Sequence, residues 1–166
     1  MFGSQTTFVL YDEEVAKVKE VLDTLLKAAN ANSIFLIDKN GQMIAMSGDV
    51  SEIDSTSLAS LTAGNIAATG GLAKLVGEKE FAIQFHEGEK DNIHISIVGG
   101  RVILVIIFDQ RSSLGLVRLR VKKASAALAV VFEEISEKNS VDQESGRDRA
   151  NPFAEITDDD IDNLFS

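Results

Sequence analysis

The spacing of apolar residues along the chain predicts three long helices and five strands. Apolar residues recur every three or four positions over the ranges 11–31, 54–76 and 112–138, as on one face of a helix. Strand-length stretches that alternate, or that are apolar throughout, cover 33–38, 42–47, 81–86, 93–97 and 101–108. The predicted order is therefore α-β-β-α-β-β-β-α, a mixed α/β (α+β) fold whose sheet has one helix on one face and two on the other.

Turn and capping residues support these boundaries. Gly41 suits the positive φ of a tight hairpin turn. Asp54 or Ser55 is a suitable N-cap for the middle helix, which we expect to end at Gly77. The nearly continuous apolar run from Arg101 to Phe108 predicts a central strand that is covered on both faces.

The composition changes after the last predicted helix. We predict a folded domain over residues 8–138, a flexible acidic linker over 139–151 because this stretch is polar and aperiodic, and a short amphipathic helix over 152–166. Thr157 is a suitable N-cap, and acidic residues follow it in the first turn. The apolar face of this short helix would consist of Ile161, Leu164 and Phe165.

Charge and cysteine content exclude several classes of protein. Of the formal net charge of -10, -6 comes from residues 139–166, which hold eight acids and two arginines. Such an acidic chain is unsuited to nucleic acid, whose phosphates require a basic face. The chain has no Cys, which favours a reducing cytoplasm, and no signal peptide pattern at Met1 to Thr7. No segment approaches the roughly 20 apolar residues of a membrane span.

Motifs for catalysis or cofactor binding are missing from the sequence. There is no GxxxxGK[ST] phosphate-binding loop and no GxSxG nucleophile motif. His86 and His94 fall on adjacent predicted strands, but a metal site normally needs three or four ligands, so we interpret both as partly exposed strand residues. We therefore predict no catalytic residue, no cofactor and no metal. A basic cluster in the last helix is interpreted as a solvated face rather than a docking patch: Arg118, Arg120, Lys122 and Lys123.

The middle helix carries two contrasting faces. We assign its large apolar stripe to the core: Leu58, Leu61, Ala68, Leu72 and Leu75. A second face consists of small residues: Ala59, Ala63, Ala67, Gly70 and Gly71. Glycine inside a helix costs about 1 kcal/mol relative to alanine, so we expect a compensating close approach of another backbone. The spacing alone leaves open whether that backbone belongs to a partner or to the protein's own sheet.

Several runs of the sequence resemble the MglB family of bacterial Roadblock/LC7 proteins. These runs are 54–65, 67–68, 70–75, 85–88, 113–120 and 152–165. The resemblance covers nearly the whole chain, and the C-terminal run is its most specific part. It implies a Roadblock/LC7 fold, with a five-stranded antiparallel sheet between helices, that forms a homodimer through the middle helix and a sheet edge.

The resemblance also implies a function. Members of the family bind a Ras-like GTPase of the MglA type, two chains to one GTPase, and accelerate GTP hydrolysis. They insert no arginine finger but reposition the GTPase's own catalytic residues, and their acidic C-terminal helix is linked to nucleotide exchange. Control of cell polarity and motility, and enrichment at the cell poles, follow from the resemblance alone. The alternative is a homodimeric Roadblock-type scaffold or adaptor without effect on hydrolysis.

We expect the GTPase-binding surface to lie on the middle helix. The platform would be formed by four small residues: Ala63, Ala67, Gly70 and Gly71. Four further residues would surround it: Thr62, Asn65, Ile66 and Lys74. The apolar residues of the C-terminal helix, Ile161, Leu164 and Phe165, would dock on a separate face of the GTPase.

Overall fold

The computed structural model describes residues 12–150, and side-chain environments for residues 12–141. The helices are α1 (Asp12–Ala28), α2 (Ser55–Leu75) and α3 (Leu114–Ala150). The strands are β1 (Ser33–Asp38), β2 (Met43–Gly48), β3 (Ile83–Glu87), β4 (Asn92–Val98) and β5 (Val102–Phe108). The predicted order α-β-β-α-β-β-β-α is confirmed. The predicted C-terminal helix, with Ile161, Leu164 and Phe165, lies outside the described residues.

Helix α3 is longer than its apolar pattern indicates. The sequence predicts its end near Lys138, whereas the helix continues to Ala150, so residues 139–150 of the predicted linker are helical. Glutamate, glutamine and arginine in this stretch are good helix formers, and the end of an apolar stripe does not by itself end a helix. Residues 12–132 form one compact unit, and the part of α3 from Glu133 onward belongs to a second.

The five strands form one antiparallel sheet in the order β2-β1-β5-β4-β3. Strand β5 lies at the centre, as its apolar run predicts, and Val102 to Ile106 are buried without interruption. The two edges are β2 and β3. Strand β3 has no partner strand on its outer side among the described residues, so its outer backbone groups form an open edge.

Helix α2 covers one face of the sheet, and α1 and α3 cover the other. Successive side chains of a strand point to opposite faces, so Phe35 and Ile34 lie on different sides. Phe35 joins a buried cluster that includes Ala59 of α2. Ile34 is paired in register with Ser47, whose hydroxyl donates to Asp23 of α1 at 2.5 Å. The predicted arrangement of one helix against two is therefore confirmed.

Two glycines with positive φ flank strand β2, one in the turn after β1 and one at the end of β2. Gly41 adopts φ +90° in the turn, as predicted. Gly48, at the end of β2, adopts φ +89°, and a Cβ there would collide with the carbonyl oxygen of Asn32. Only glycine fits this position without strain.

His94 is a buried residue on the face covered by α1 and α3. It is 1 % exposed, and neither ring nitrogen has a hydrogen-bond partner. Burial lowers the pKa of His94, and the guanidinium of Arg118 on α3 lowers it further. The sequence-based interpretation of a partly exposed histidine is therefore wrong for His94, whereas His86 is exposed.

We expect acidification to destabilise the fold through His94. The unfolded chain protonates this imidazole near pH 6.5, whereas the folded chain resists protonation, so stability should decrease as the pH falls below 6.5. Thermal midpoints measured from pH 7.5 to pH 5 should fall more steeply for the unsubstituted chain than for His94→Leu. His86→Gln is the matched control and should follow the unsubstituted chain. Parallel curves for all three proteins would contradict the prediction.

Candidate functional site

Helix α2 packs on the sheet through its small residues. Ala59, Thr62 and Ala73 are buried, whereas Leu61, Leu72 and Leu75 are 73 %, 56 % and 82 % exposed. The predicted assignment of the leucine stripe to the core is therefore wrong, except for Leu58, which packs against the buried cluster. The sheet fills this side of the core with large side chains, so the helix can approach it closely only through small ones.

Both ends of α2 are well defined. The carboxylate of Asp54 accepts a hydrogen bond from the backbone N–H of Ser57 at 3.1 Å, which confirms the predicted N-cap. Hydrogen bonds from the hydroxyl and then the backbone N–H of Ser57 lower the pKa of Asp54. At the other end Gly77 adopts φ +81°, so the helix stops where the sequence predicts.

The eight predicted site residues of α2 divide into two groups. Thr62 is buried and Ile66 packs against the buried cluster, so these two residues hold the helix on the sheet. The other six are partly or fully exposed: Ala63, Asn65, Ala67, Gly70, Gly71 and Lys74. This second group offers most of the accessible surface, because Thr62 is buried and Ile66 is partly buried against the sheet.

The glycines of α2 are not required by packing within the described chain. A Cβ added at Gly64, Gly70 or Gly71 would meet no atom within 4 Å. Each glycine costs about 1 kcal/mol relative to alanine in a helix. Close packing against the protein's own sheet, one of the two explanations left open by the sequence, does not account for this cost.

Exposed apolar residues of α2 lie beside the open edge of the sheet. Gln84 of β3 donates to the hydroxyl of Thr69 on α2 at 2.8 Å, so the strand and the helix lie side by side. The term α2–β3 surface is used for the exposed apolar residues of α2 and its C-cap, which are Leu61, Leu72, Leu75 and Val76, together with the open edge of β3 beside the helix. The exposed Ile83 and Phe85 of β3 point to the other face of the sheet, because Phe85 lies opposite the buried His94. An apolar surface beside an open sheet edge is typical of a protein–protein interface, and sequence periodicity had assigned its leucines to the core.

Arg111 forms hydrogen bonds with residues of its own chain. Its backbone N–H and Nε donate to the carboxylate of Asp109 at 2.9 and 3.1 Å, and its guanidinium also contacts Asn32. These bonds, chiefly the side-chain bond from Arg111, lower the pKa of Asp109 to about 2. The network connects the end of β5 to the loop before β1, which gives Arg111 a role in the fold.

The histidines do not form a pair. In the register of β3 and β4, His86 lies opposite Ile93 and His94 lies opposite Phe85, so the two imidazoles point to different faces of the sheet. Among residues 12–150 there is no group of three or more His, Cys, Asp or Glu side chains that could hold a metal ion. No helix in the same range is long and apolar enough to cross a membrane.

Comparison with known proteins places this fold in a family. Residues 17–108 match the Roadblock/LC7 domain. The structure of MglB from Myxococcus xanthus is similar, with 61 % identity, a TM-score of 0.73, and coverage of 76 % of this chain and 96 % of that one. The gliding protein MglB of Thermus thermophilus is 37 % identical, with a TM-score of 0.73 and coverage of 77 % and 97 %. A third structure, an MglB with a tetrameric arrangement, is 36 % identical, with a TM-score of 0.74 and coverage of 78 % and 97 %.

The chain belongs to the Roadblock/LC7 family. Within that family its similarity is to the MglB proteins, over most of its length and nearly all of theirs. No protein among the curated sequences matches it.

We expect alanine to stabilise the folded chain at two of these glycines. Gly64→Ala and Gly71→Ala should each raise the free energy of unfolding by about 1 kcal/mol, because alanine is the better helix former and the added methyl meets nothing. Urea denaturation provides the measurement. Gly48→Ala is the control of opposite sign and should lower the free energy of unfolding. A destabilised Gly71→Ala would show that a neighbour within the chain needs this glycine.

Proposed function

We propose that this chain is a regulator of a Ras-like GTPase of the MglA type, acting as a homodimer that accelerates GTP hydrolysis. The observation that carries the proposal is the exposed small-residue side of α2, with glycines that no packing within the described chain requires. It occurs in a chain that is 61 % identical to Myxococcus xanthus MglB. Control of cell polarity and motility, and a cytoplasmic location with enrichment at the poles, belong to the same proposal and rest on that similarity.

The homodimer would form through the α2–β3 surface. An open strand edge can pair with a second copy of itself, and the neighbouring leucines would lose their exposure to water in the same step. The pairing would extend the sheet across both copies and place the two α2 helices side by side. One GTPase would then contact two chains.

The GTPase would dock on the small-residue side of α2. The exposed residues Ala67 and Gly71 present little side chain, so a partner backbone can come close, while Lys74 adds a positive charge at the margin. We place Ala63, Asn65 and Gly70 at the same surface. Thr62 and Ile66 would act through the position of the helix because their side chains face the sheet.

Activation would work by positioning the GTPase's own residues. Phosphoryl transfer is accelerated by orientation and by charge stabilisation, and a rigid docking surface can supply the first without a catalytic group. Arg111 is tied to Asp109, and Arg101 also has an interaction partner within the chain. These attachments favour a mechanism without an arginine finger.

We expect phosphate release from GTP by the cognate GTPase, under single-turnover conditions, to rise strongly when this chain is added. The double variant Ala67→Arg, Gly71→Arg should return the rate to the intrinsic one, because two long cations block close approach. Ala126→Arg, at an exposed position of α3, is the matched control and should activate normally. Light scattering shows whether the double variant is still a dimer. Normal activation by a folded double variant would refute this placement of the GTPase.

A scaffold without effect on hydrolysis is the second candidate, favoured if the apolar α2–β3 surface serves assembly alone. The same assay separates the two functions. A complex that requires GTP but leaves phosphate release unchanged would establish the scaffold.

The C-terminal segment would act on a separate face of the GTPase. It combines apolar residues, Ile161, Leu164 and Phe165, with four aspartates at 158, 159, 160 and 162. The three apolar side chains would lie on one side of a helix and bind the GTPase through that side. The aspartates would raise the rate of association with the GTPase at low ionic strength. This segment is proposed to promote nucleotide exchange.

We expect deletion of Asn151 to Ser166 to leave folding, dimerisation and stimulated hydrolysis intact, and to slow release of a fluorescent nucleotide from the GTPase. The full-length triple variant Ile161→Ser, Leu164→Ser, Phe165→Ser should reproduce the slow release, since it keeps the acids and removes the apolar face. Unfolding of the truncated chain would instead make the segment part of the fold.

A further inference from the structure

The two halves of α2 are held to the sheet in different ways. Five residues follow one another at alternating spacings of three and four, and therefore share the side that faces the sheet: Ala59, Thr62, Ile66, Thr69 and Ala73. In the N-terminal half, Ala59 belongs to the buried apolar cluster and Ile66 packs against it. Beyond Ile66 the buried residue of the helix is Ala73, which offers only a methyl group. The C-terminal half therefore has less apolar contact to fix its position.

Two glycines loosen this C-terminal half further. Gly70 and Gly71 lie inside the helix, where glycine is a poorer helix former than alanine because its backbone has more freedom to lose. A Cβ at either position would meet no atom within 4 Å, so close packing within the described chain does not restrain them. Both belong to the surface on which we place the GTPase, and so does Lys74. A surface that binds through its backbone depends on where that backbone lies.

Thr69 supplies a polar attachment to the sheet directly before the two glycines. Its hydroxyl donates to the backbone oxygens of Asn65 and Ile66, at 2.9 and 3.2 Å, so its one proton is directed at its own helix. A hydroxyl that uses its proton in this way can only accept from a further group. The side-chain amide nitrogen of Gln84 on β3 donates to it at 2.8 Å. This bond is partly buried, which reduces the competition from water.

We propose that Gln84 is a positioning residue of the GTPase-binding surface, and that its bond to Thr69 holds the C-terminal half of α2 in the orientation that the GTPase binds. Gln84 acts through the backbone of α2 rather than by contact with the GTPase. The bond orders the helix in advance, so less ordering is required when the complex forms. Chains in which this half is loosened lower the apparent affinity in proportion to their share of the population. The inference rests on the proposed function, because it requires that the GTPase docks on this side of α2.

Gln84→Met and Thr69→Val test the bond in the full-length chain. Each keeps the approximate size of the side chain and removes one partner of the bond. Phosphate release by the cognate GTPase is measured against the concentration of each variant. The half-saturating concentration should rise about fivefold, as for the loss of one hydrogen bond, while the rate at saturation stays unchanged because the bound helix is the same. The double variant should match Thr69→Val, since both substitutions remove the same bond.

Thr69→Ser keeps the hydroxyl and should behave as the unsubstituted chain. Thr56→Val removes a hydroxyl at an exposed position in the first turn of α2, and is the matched control that should also leave the half-saturating concentration unchanged. Since Thr69→Val lies on the helix and Gln84→Met on the strand, either variant remains informative if the other does not fold.

Amide hydrogen exchange, measured without the GTPase, gives a second readout. Backbone amides from Gly70 to Val76 should exchange about fivefold faster in Gln84→Met, as expected when one hydrogen bond no longer restrains this half. Amides from Ala59 to Ile66 should keep their rates, because the apolar cluster still holds the N-terminal half. Faster exchange throughout the helices and strands would reveal a general loss of stability and would overturn a positioning role.

The two readouts together decide the inference. An unchanged half-saturating concentration for Gln84→Met would overturn it, whatever the exchange rates. A higher value without faster exchange would also overturn it, because Gln84 would then contact the GTPase directly. A lower rate at saturation would contradict it as well, since the bond would then take part in activation itself. Failure of the unsubstituted chain to bind or stimulate the GTPase would instead refute the proposed function, and the inference with it.

Discussion

The close contact between α2 and the sheet is the constraint on which the other features of the molecule depend. Ala59, Thr62 and Ala73 face the sheet, so the helix approaches a layer of large side chains through its smallest ones. Because small residues occupy the side of α2 that faces the sheet, the leucines lie on other sides of the helix. They face away from the sheet and remain exposed, as at a protein–protein contact surface.

The sheet itself makes this contact possible. Strand β5 lies at the centre and is buried on both faces, so α1 and α3 complete the core on the far side without help from α2. The face of the sheet that α2 covers can therefore be closed by small side chains packed directly on it. The edge strand β3, held to α2 by the bond between Gln84 and Thr69, extends the uncovered apolar surface to an open row of backbone groups.

The order of elements, the hairpin at Gly41 and the N-cap at Asp54 could be predicted from the sequence, because each depends on local pattern or backbone geometry. Which side of α2 faces the sheet could not be predicted from the sequence. Helical periodicity shows that two residues share a side but not whether that side meets the sheet or the solvent, and the larger stripe was wrongly assigned to the core. The burial of His94 was missed for a similar reason, since alternation along β4 does not show that both faces are covered.

The two outer sides of α2 suit different partners for physical reasons. The exposed leucines of α2 are large and uncharged, properties that suit a permanent contact between copies. The side that carries Ala67 and Gly71 is small and shallow, so it gains little from burial and depends on the fit of an incoming backbone. A contact of this kind is easily reversed, which suits the proposed regulator of a GTPase. Because one rigid helix carries both sides, the contact between two copies would also set the spacing of the two docking surfaces in the proposed complex with a GTPase.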